Sequence, residues 1–287
     1  MESVYYPDYS KFFQKPSDAP KDRVEFIWLG QAGFAFRYND TTLIIDPYLS
    51  DYLSKKYKDG IFPHIRLMDM PILPENIKNL DILLSTHSHS DHMDPETIPK
   101  LTQANPNASI IIPGPTRDEA IKRGAPSKNI ISAYSELPIL IDEDLEIIPI
   151  PAAHEELQTD ENGDHLFLGY IFKFGKIIAY HSGDCVPYDG LADLLKNNKV
   201  QIAFLPINGR DEYRRTNNIA GNFRISEVIE ICKTTQIPKL VAHHFGMFAY
   251  NTVTDSELHS ICDASSKELE IYIPQIHKLY VISENEK

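Results

Sequence analysis

Apolar residues along this chain fall first into short runs and only later into helical spacing. Three runs lie close together near the start, at 24–29, 33–37 and 42–45, with the turn signals Gly30-Gln31-Ala32-Gly33 and Asn39-Asp40 between them. Runs of that length bounded by turn residues predict an antiparallel meander. Further strands are predicted at 81–85, 109–112, 129–133, 145–150, 167–174, 176–180, 201–206, 239–242 and 271–282. Apolar positions three and four apart predict helices at 95–104, 115–123, 189–197, 225–234 and 255–269. Residues 1–23 are aperiodic and rich in Lys, Pro, Tyr and Asp, and read as an arm over the surface. Residues 49–75 are irregular and carry several prolines, a length of loop that usually has a function or moves. Strands that cluster first, with helices interleaved in both halves, predict an α/β sandwich of two sheets face to face with helices outside. No polar linker divides the chain, so 1–287 reads as one domain with 1–23 as its arm.

Composition narrows the classes. The net charge is −13 and no Lys/Arg run is present, which argues against a nucleic-acid partner, since phosphate neutralisation needs a basic face. The first residues have neither a basic segment nor an apolar stretch, so they do not read as a signal peptide. No run of 18 apolar residues occurs, so no membrane partner is expected. A cytoplasmic setting follows as an expectation. Three scattered cysteines without a CxxC pair exclude a cysteine-based zinc knuckle.

The candidate chemistry lies just after the strand at 81–85, in His87-Ser88-His89-Ser90-Asp91-His92. Side chains two apart in an extended chain share a face, so His87 and His89 can converge on one ion. After the chain turns, Asp91 and His92 can serve a second. Imidazole with carboxylate suits Zn, Mn or Fe(II), whereas oxygen donors alone suit Mg or Ca.

This His-x-His-x-Asp-His pattern resembles the signature of the metallo-β-lactamase superfamily. The resemblance implies a four-layer αββα sandwich and a hydrolase holding one or two divalent ions, Mn or Zn. Other pieces occur in the order it implies. Asp46, in Ile-Ile-Asp-Pro, would support the ligands from behind. His154, in Pro-Ala-Ala-His-Glu, would be the next metal histidine, and Asp184, in His-Ser-Gly-Asp, the bridging carboxylate. The last histidine is His243 or His244; His244 is preferred because Phe245 follows it, which leaves His243 as a supporting residue. On this basis His87, His89 and His154 would hold one ion and Asp91, His92 and His244 the other. A hydroxide on the metals would attack a carbonyl or phosphorus centre, with Asp91 orienting it or carrying a proton.

The segment from Leu205 to Phe223 carries three arginines. Asn208, Arg210 and Arg214 are expected to form a phosphate or carboxylate pocket, because arginine offers a bidentate fork to such groups. The alternative is a solvated loop whose arginines pair with Asp211 and Glu212. Together with His243-His244 and Trp28-Leu29-Gly30-Gln31-Ala32-Gly33, this stretch is similar to the L-ascorbate-6-phosphate lactonase-like subgroup. That similarity implies opening of the lactone ring of a phosphorylated sugar acid, a small anionic substrate and a homo-oligomer. A phosphodiesterase on the same fold and a non-catalytic metal-binding protein are the rival readings. The loop at 49–75, with Phe62, His64 and Arg66, reads either as a lid over the site or as a subunit contact.

Overall fold

Both faces of the central strands are covered, which is why they read as continuous apolar runs and not as alternating ones. The computed structural model describes residues 1–15 and 22–284; residues 16–21 of the expected arm and residues 285–287 lie outside them. In the first sheet are β1 (Glu2–Tyr5), β2 (Arg23–Gly30), β3 (Gly33–Tyr38), β4 (Thr41–Ile45), β5 (Ile82–Leu84), β6 (Ser109–Pro113) and β7 (Ile130–Ala133). The second contains β8 (Ile139–Leu140), β9 (Leu145–Pro151), β10 (Leu168–Phe174), β11 (Ile177–His181), β12 (Ile202–Pro206), β13 (Lys239–His243) and β14 (Glu270–Tyr272). β15 (Lys278–Ser283) returns to the first sheet, between β1 and β2.

Alternate residues of one strand serve two cores. Val24, Phe26 and Trp28 of β2 join the core between the sheets, whereas Ile27 and Leu29 join the one under the outer helices. β4 repeats the division with Leu43 and Ile45 against Ile44, as does β5 with Ile82 and Leu84 against Leu83. Helices α2 (Thr97–Ala104) and α3 (Arg117–Lys122) supply Ile98, Leu101 and Ala120 to the outer core. On the far side, α4 (Leu191–Asn197) and α6 (Ile225–Thr235) pack on each other, and α6 covers β12 and β13. Shorter helices are α1 (Tyr52–Lys56) and α5 (Glu212–Thr216); α7 (Asp255–Asp263) lies against β14. Among the described residues no helix is long and apolar enough to cross a membrane.

Each sheet is half antiparallel and half parallel, and this places the site. β4 to β7 run parallel in one sheet and β11 to β14 in the other. Loops leaving the carboxyl ends of parallel strands collect at one rim, where open α/β sheets bind ligands.

Three expectations are corrected. The opening stretch is more than an arm: Glu2–Tyr5 pairs with β15 as an edge strand, and Tyr9, Phe12 and Phe13 are buried in the outer core. Residues 271–282 form two strands in different sheets, because Pro274 removes a ladder donor and His277 takes a φ of 63°. Helix α7 ends at Asp263, six residues early; the Ser265 and Ser266 hydroxyls take the N–H groups of Ile271, Glu268 and Leu269 and turn the chain.

Candidate metal centre

The cluster is built on two sharp bends. Asp46 follows β4 with a φ of 48°, fixed by its N–H donating to the Leu84 carbonyl at 3.0 Å. Its carboxylate accepts the Thr86 N–H, the Thr86 hydroxyl and the His92 Nδ1–H, each at 2.7 Å. That leaves the His92 Nε2 turned away from Asp46, towards the cluster. With its proton given to Asp46, Thr86 Oγ1 is placed to accept from His87 Nδ1 at 3.0 Å, leaving His87 Nε2 unencumbered. Carboxylate and hydroxyl partners of this kind fix ring orientation and tautomer in metal sites. The second bend is His181-Ser182-Gly183-Asp184. A Cβ on Gly183 would lie 2.7 Å from Thr86 Cβ, and φ there is 60°, so only glycine brings Asp184 against the histidines.

Seven side chains meet. Ligand-capable atoms of His87, His89 and His154 lie within 4.8 Å of one another, and so do those of Asp91, His92 and His244. Asp184 stands between them: Oδ1 is 3.3 Å from His92 Nε2, and Oδ2 is 3.2 Å from His244 Nε2 and 4.0 Å from His154 Nε2. Of the paired histidines, the structure brings His244 into the cluster. Its φ of 58° and its N–H bond to the Gln31 carbonyl turn it inward. His243 lies behind, its ring stacked on His181 at 4.6 Å.

Buried His87 Nε2, His92 Nε2 and Asp184 Oδ1 find no hydrogen-bond partner among the described residues. Such atoms cost about 1–3 kcal/mol each if left unanswered, so convergent ones point to an ion. Imidazole and carboxylate donors fit Zn, Mn or Fe(II). The charge states agree. Burial holds His87 well below its ordinary range and His154 down to about 4, in the neutral form that metals bind. Burial opposes charge on His92 and His244 too, but carboxylates win there. Asp184, Asp46 and Asp91 hold His92 well above its range, and Asp184 and Asp91 lift His244 to about 9. Protons thus sit where cations would supply the same charge.

The cluster floors a cavity of about 720 Å³. Phe62 and His64, from the loop at 49–75, wall it together with Phe248 and Tyr250. His64 stacks on Tyr57 at 4.3 Å, and Phe62 lies 5.2 Å from Tyr250. The loop therefore forms a wall over the site. Arg66 anchors that wall from behind, donating to the Tyr48 and Ser50 carbonyls at 2.9 and 2.8 Å.

The expected anion pocket is corrected. Arg210 forks onto Glu227 at 2.6 and 2.7 Å and also donates to the Asn222 carbonyl. Arg214 is held by Asp211, the Asn208 carbonyl and Asn251 Oδ1. Asn208 is buried, with its amide bonded to Asn251 and Asn222. None of the three lines the cavity; Asn217, Asn218 and Asn251 do, with Lys56 and Arg123 as its cations. Sequence reasoning missed the role of Gln31, whose Nε2 donates to Asp91 Oδ2 at 3.0 Å, and that of Thr86. The signals for Gln31 are its place in a turn between two buried strands and in the Trp28-Leu29-Gly30-Gln31-Ala32-Gly33 stretch that carries the resemblance.

This chain belongs to the β-lactamase superfamily: residues 41–245 match the family described as Beta-lactamase superfamily domain. It is a metal-dependent hydrolase of that superfamily, with the two-sheet metallo-β-lactamase fold. A metal-dependent hydrolase of Caldivirga maquilingensis is 25% identical over 182 residues, 63% of this chain and 69% of that protein. The mitochondrial N-acyl-phosphatidylethanolamine-hydrolyzing phospholipase D of Saccharomyces cerevisiae is 23% identical over 276 residues, 91% of this chain but 57% of that one. Among solved structures, isothiocyanate hydrolase from Delia radicum gut bacteria superposes with a TM-score of 0.70 at 20% identity, covering 90% of this chain and 99% of its own. This last likeness is one of fold.

Proposed function

We propose that this protein is a two-metal hydrolase, loaded with Mn or Zn, that cleaves a carboxylic ester or lactone bearing an apolar, ring-containing group. The observation that carries this reading is the pair of three-residue clusters with Asp184 between them at the floor of an aromatic-walled cavity. His87, His89 and His154 would hold one ion, Asp91, His92 and His244 the other, and Asp184 both. Ions bound there would supply an acidified water and polarise the scissile group. Asp91 lines the cavity as well as the cluster, which suits it to orient the nucleophile and carry a proton to the leaving oxygen. Phe62, Phe248 and Tyr250 would hold the substrate body and exclude bulk water. A phosphate on the substrate is not part of the proposal, since Arg210 and Arg214 are committed elsewhere.

Phosphodiester cleavage is the second reading, favoured by the phospholipase D relative that aligns along most of this chain. One panel separates the two. The Mn- or Zn-reconstituted protein is offered aryl esters, lactones with and without a phosphate, and a bis-aryl phosphodiester. Turnover of esters or lactones irrespective of phosphate, lost on chelation, supports the first reading. Turnover of the phosphodiester alone transfers the chemistry to phosphorus, and no turnover by a protein loaded with two ions overturns both.

A further inference from the structure

Gln31 occupies an unusual position for a turn residue. It is fully buried, with a φ of 52°, and its backbone carbonyl accepts from both the Trp28 indole N–H and the His244 N–H at 3.0 Å. The hairpin turn therefore fixes its backbone against the strand that delivers His244. Its side-chain Nε2 lies 3.0 Å from Asp91 Oδ2 and 3.1 Å from His244 Nε2. Those two atoms lie 3.5 Å apart, and Asp91 Oδ2 is 3.6 Å from His92 Nε2, within the Asp91–His92–His244 group. The amide oxygen, Oε1, is buried and has no partner among the described residues. Chemistry supports this orientation of the amide, since the reverse would set its oxygen against the Asp91 carboxylate.

We infer that Gln31 is a placeholder that weakens the second metal position relative to the first. An ion shared by Asp91 and His244 needs the Asp91 lone pair that the Gln31 amide now takes and the space beside His244 Nε2 that it fills. Amide protons carry positive partial charge, so an ion at ~2.0–2.2 Å from those ligands is repelled by them. Filling this position requires the amide to release Asp91 and turn away. No side-chain amide occupies the His87–His89–His154 group in this manner, among the described residues. The two positions therefore fill in order, with the three-histidine group first. The inference rests on the two-metal reading above and goes beyond it by making one uncharged side chain the source of unequal affinity.

The test is calorimetric titration of metal-free protein with Zn²⁺, alongside Gln31→Met, which keeps the bulk and removes the donor, and Gln31→Ala. Wild type is expected to bind in two steps. Both variants should tighten the second step by at least roughly tenfold, the worth of one hydrogen bond to a charged carboxylate, with the first step unchanged. An unchanged second step, or a weaker one that would make Gln31 a ligand, overturns the inference. Wild type that binds no Zn²⁺, or one ion only, overturns the two-metal reading itself. Far-ultraviolet circular dichroism of each variant checks folding, and Gln31→Met decides if Gln31→Ala fails to fold.

Discussion

Residues 85–92 and 206–223 follow central strands of the two sheets and are both crowded with polar groups, yet they end in opposite states. In the first, Nε2 of His87 and Nε2 of His92 are buried with no hydrogen-bond partner among the described residues. In the second, each arginine already has a carboxylate: Arg210 with Glu227, Arg214 with Asp211, Arg215 with Glu212. Charge content does not separate the two segments, and unanswered ring nitrogens do, since the only such buried side-chain atom in the second segment, among the described residues, is the amide oxygen Asn222 Oδ1. The arginine segment still serves the site, as a brace. Arg214 and Asn208 both bond Asn251 Oδ1, and Asn251 is part of the cavity wall.

The strongest way to break this contrast is to remove a residue from the unanswered set. His89→Ala is expected to lower kcat/KM by roughly three orders of magnitude, the scale of losing a key electrostatic element. Elemental analysis should show at least one ion fewer per chain; full metal content with unchanged turnover would remove His89 from the site. Next in size is Asp46→Ala, which takes the acceptor from His92 and Thr86 without touching the cavity. Metal affinity should fall about 10–100-fold. Equal affinity in a chelator competition would show that Asp46 serves the fold alone.

The charge states offer a third handle, with a definite sign. His244 titrates at about 9 in the metal-free protein because burial is outweighed by Asp184 and Asp91. It is therefore protonated at pH 7, and an ion that takes its nitrogen must displace that proton. Loading at pH 7 should release protons into a weakly buffered solution. Apparent affinity should fall as pH is lowered below about 9. The linked stability runs the other way. A folded pKa raised above the ordinary 6.5 stabilises the metal-free protein below pH 6.5, and the gain is lost as pH rises through about 9. Metal binding without proton release at pH 7 would show that His244 is not displaced.

Sequence made the strands legible because burial on both faces writes them as runs, and made 87–92 legible because four ligand-capable side chains fall within six residues. Features fixed by distant contacts stayed hidden. β1 is exposed at every residue and pairs on one side only, so Glu2-Ser3-Val4-Tyr5 carries no apolar pattern. β8 is two residues long. His154, Asp184 and His244 were reachable through family resemblance alone, since nothing local marks them. Gln31 read as a turn because its partners are 60 and 213 residues away. The arginine segment was half legible: Arg214 and Arg215 take Asp211 and Glu212, as the alternative had it, whereas Glu227, which claims Arg210, lies 17 residues on in α6.

Arg210→Ala probes the already paired side and should have the smallest effect. The Arg210–Glu227 pair is bidentate and about three-quarters buried, with side-chain exposures of 26% and 19%. Its loss is expected to cost about 1 kcal/mol, near the upper end for pairs that water still reaches. In a chain of this size that lowers Tm by roughly 2–4 °C. Because the guanidinium does not line the cavity, KM for phosphorylated and neutral substrates should change by the same small factor. A selective rise for the phosphorylated substrate would mean that Arg210 leaves Glu227 to meet it. The segment would then be an anion pocket that opens on binding, and the contrast between the two segments would describe the empty protein alone.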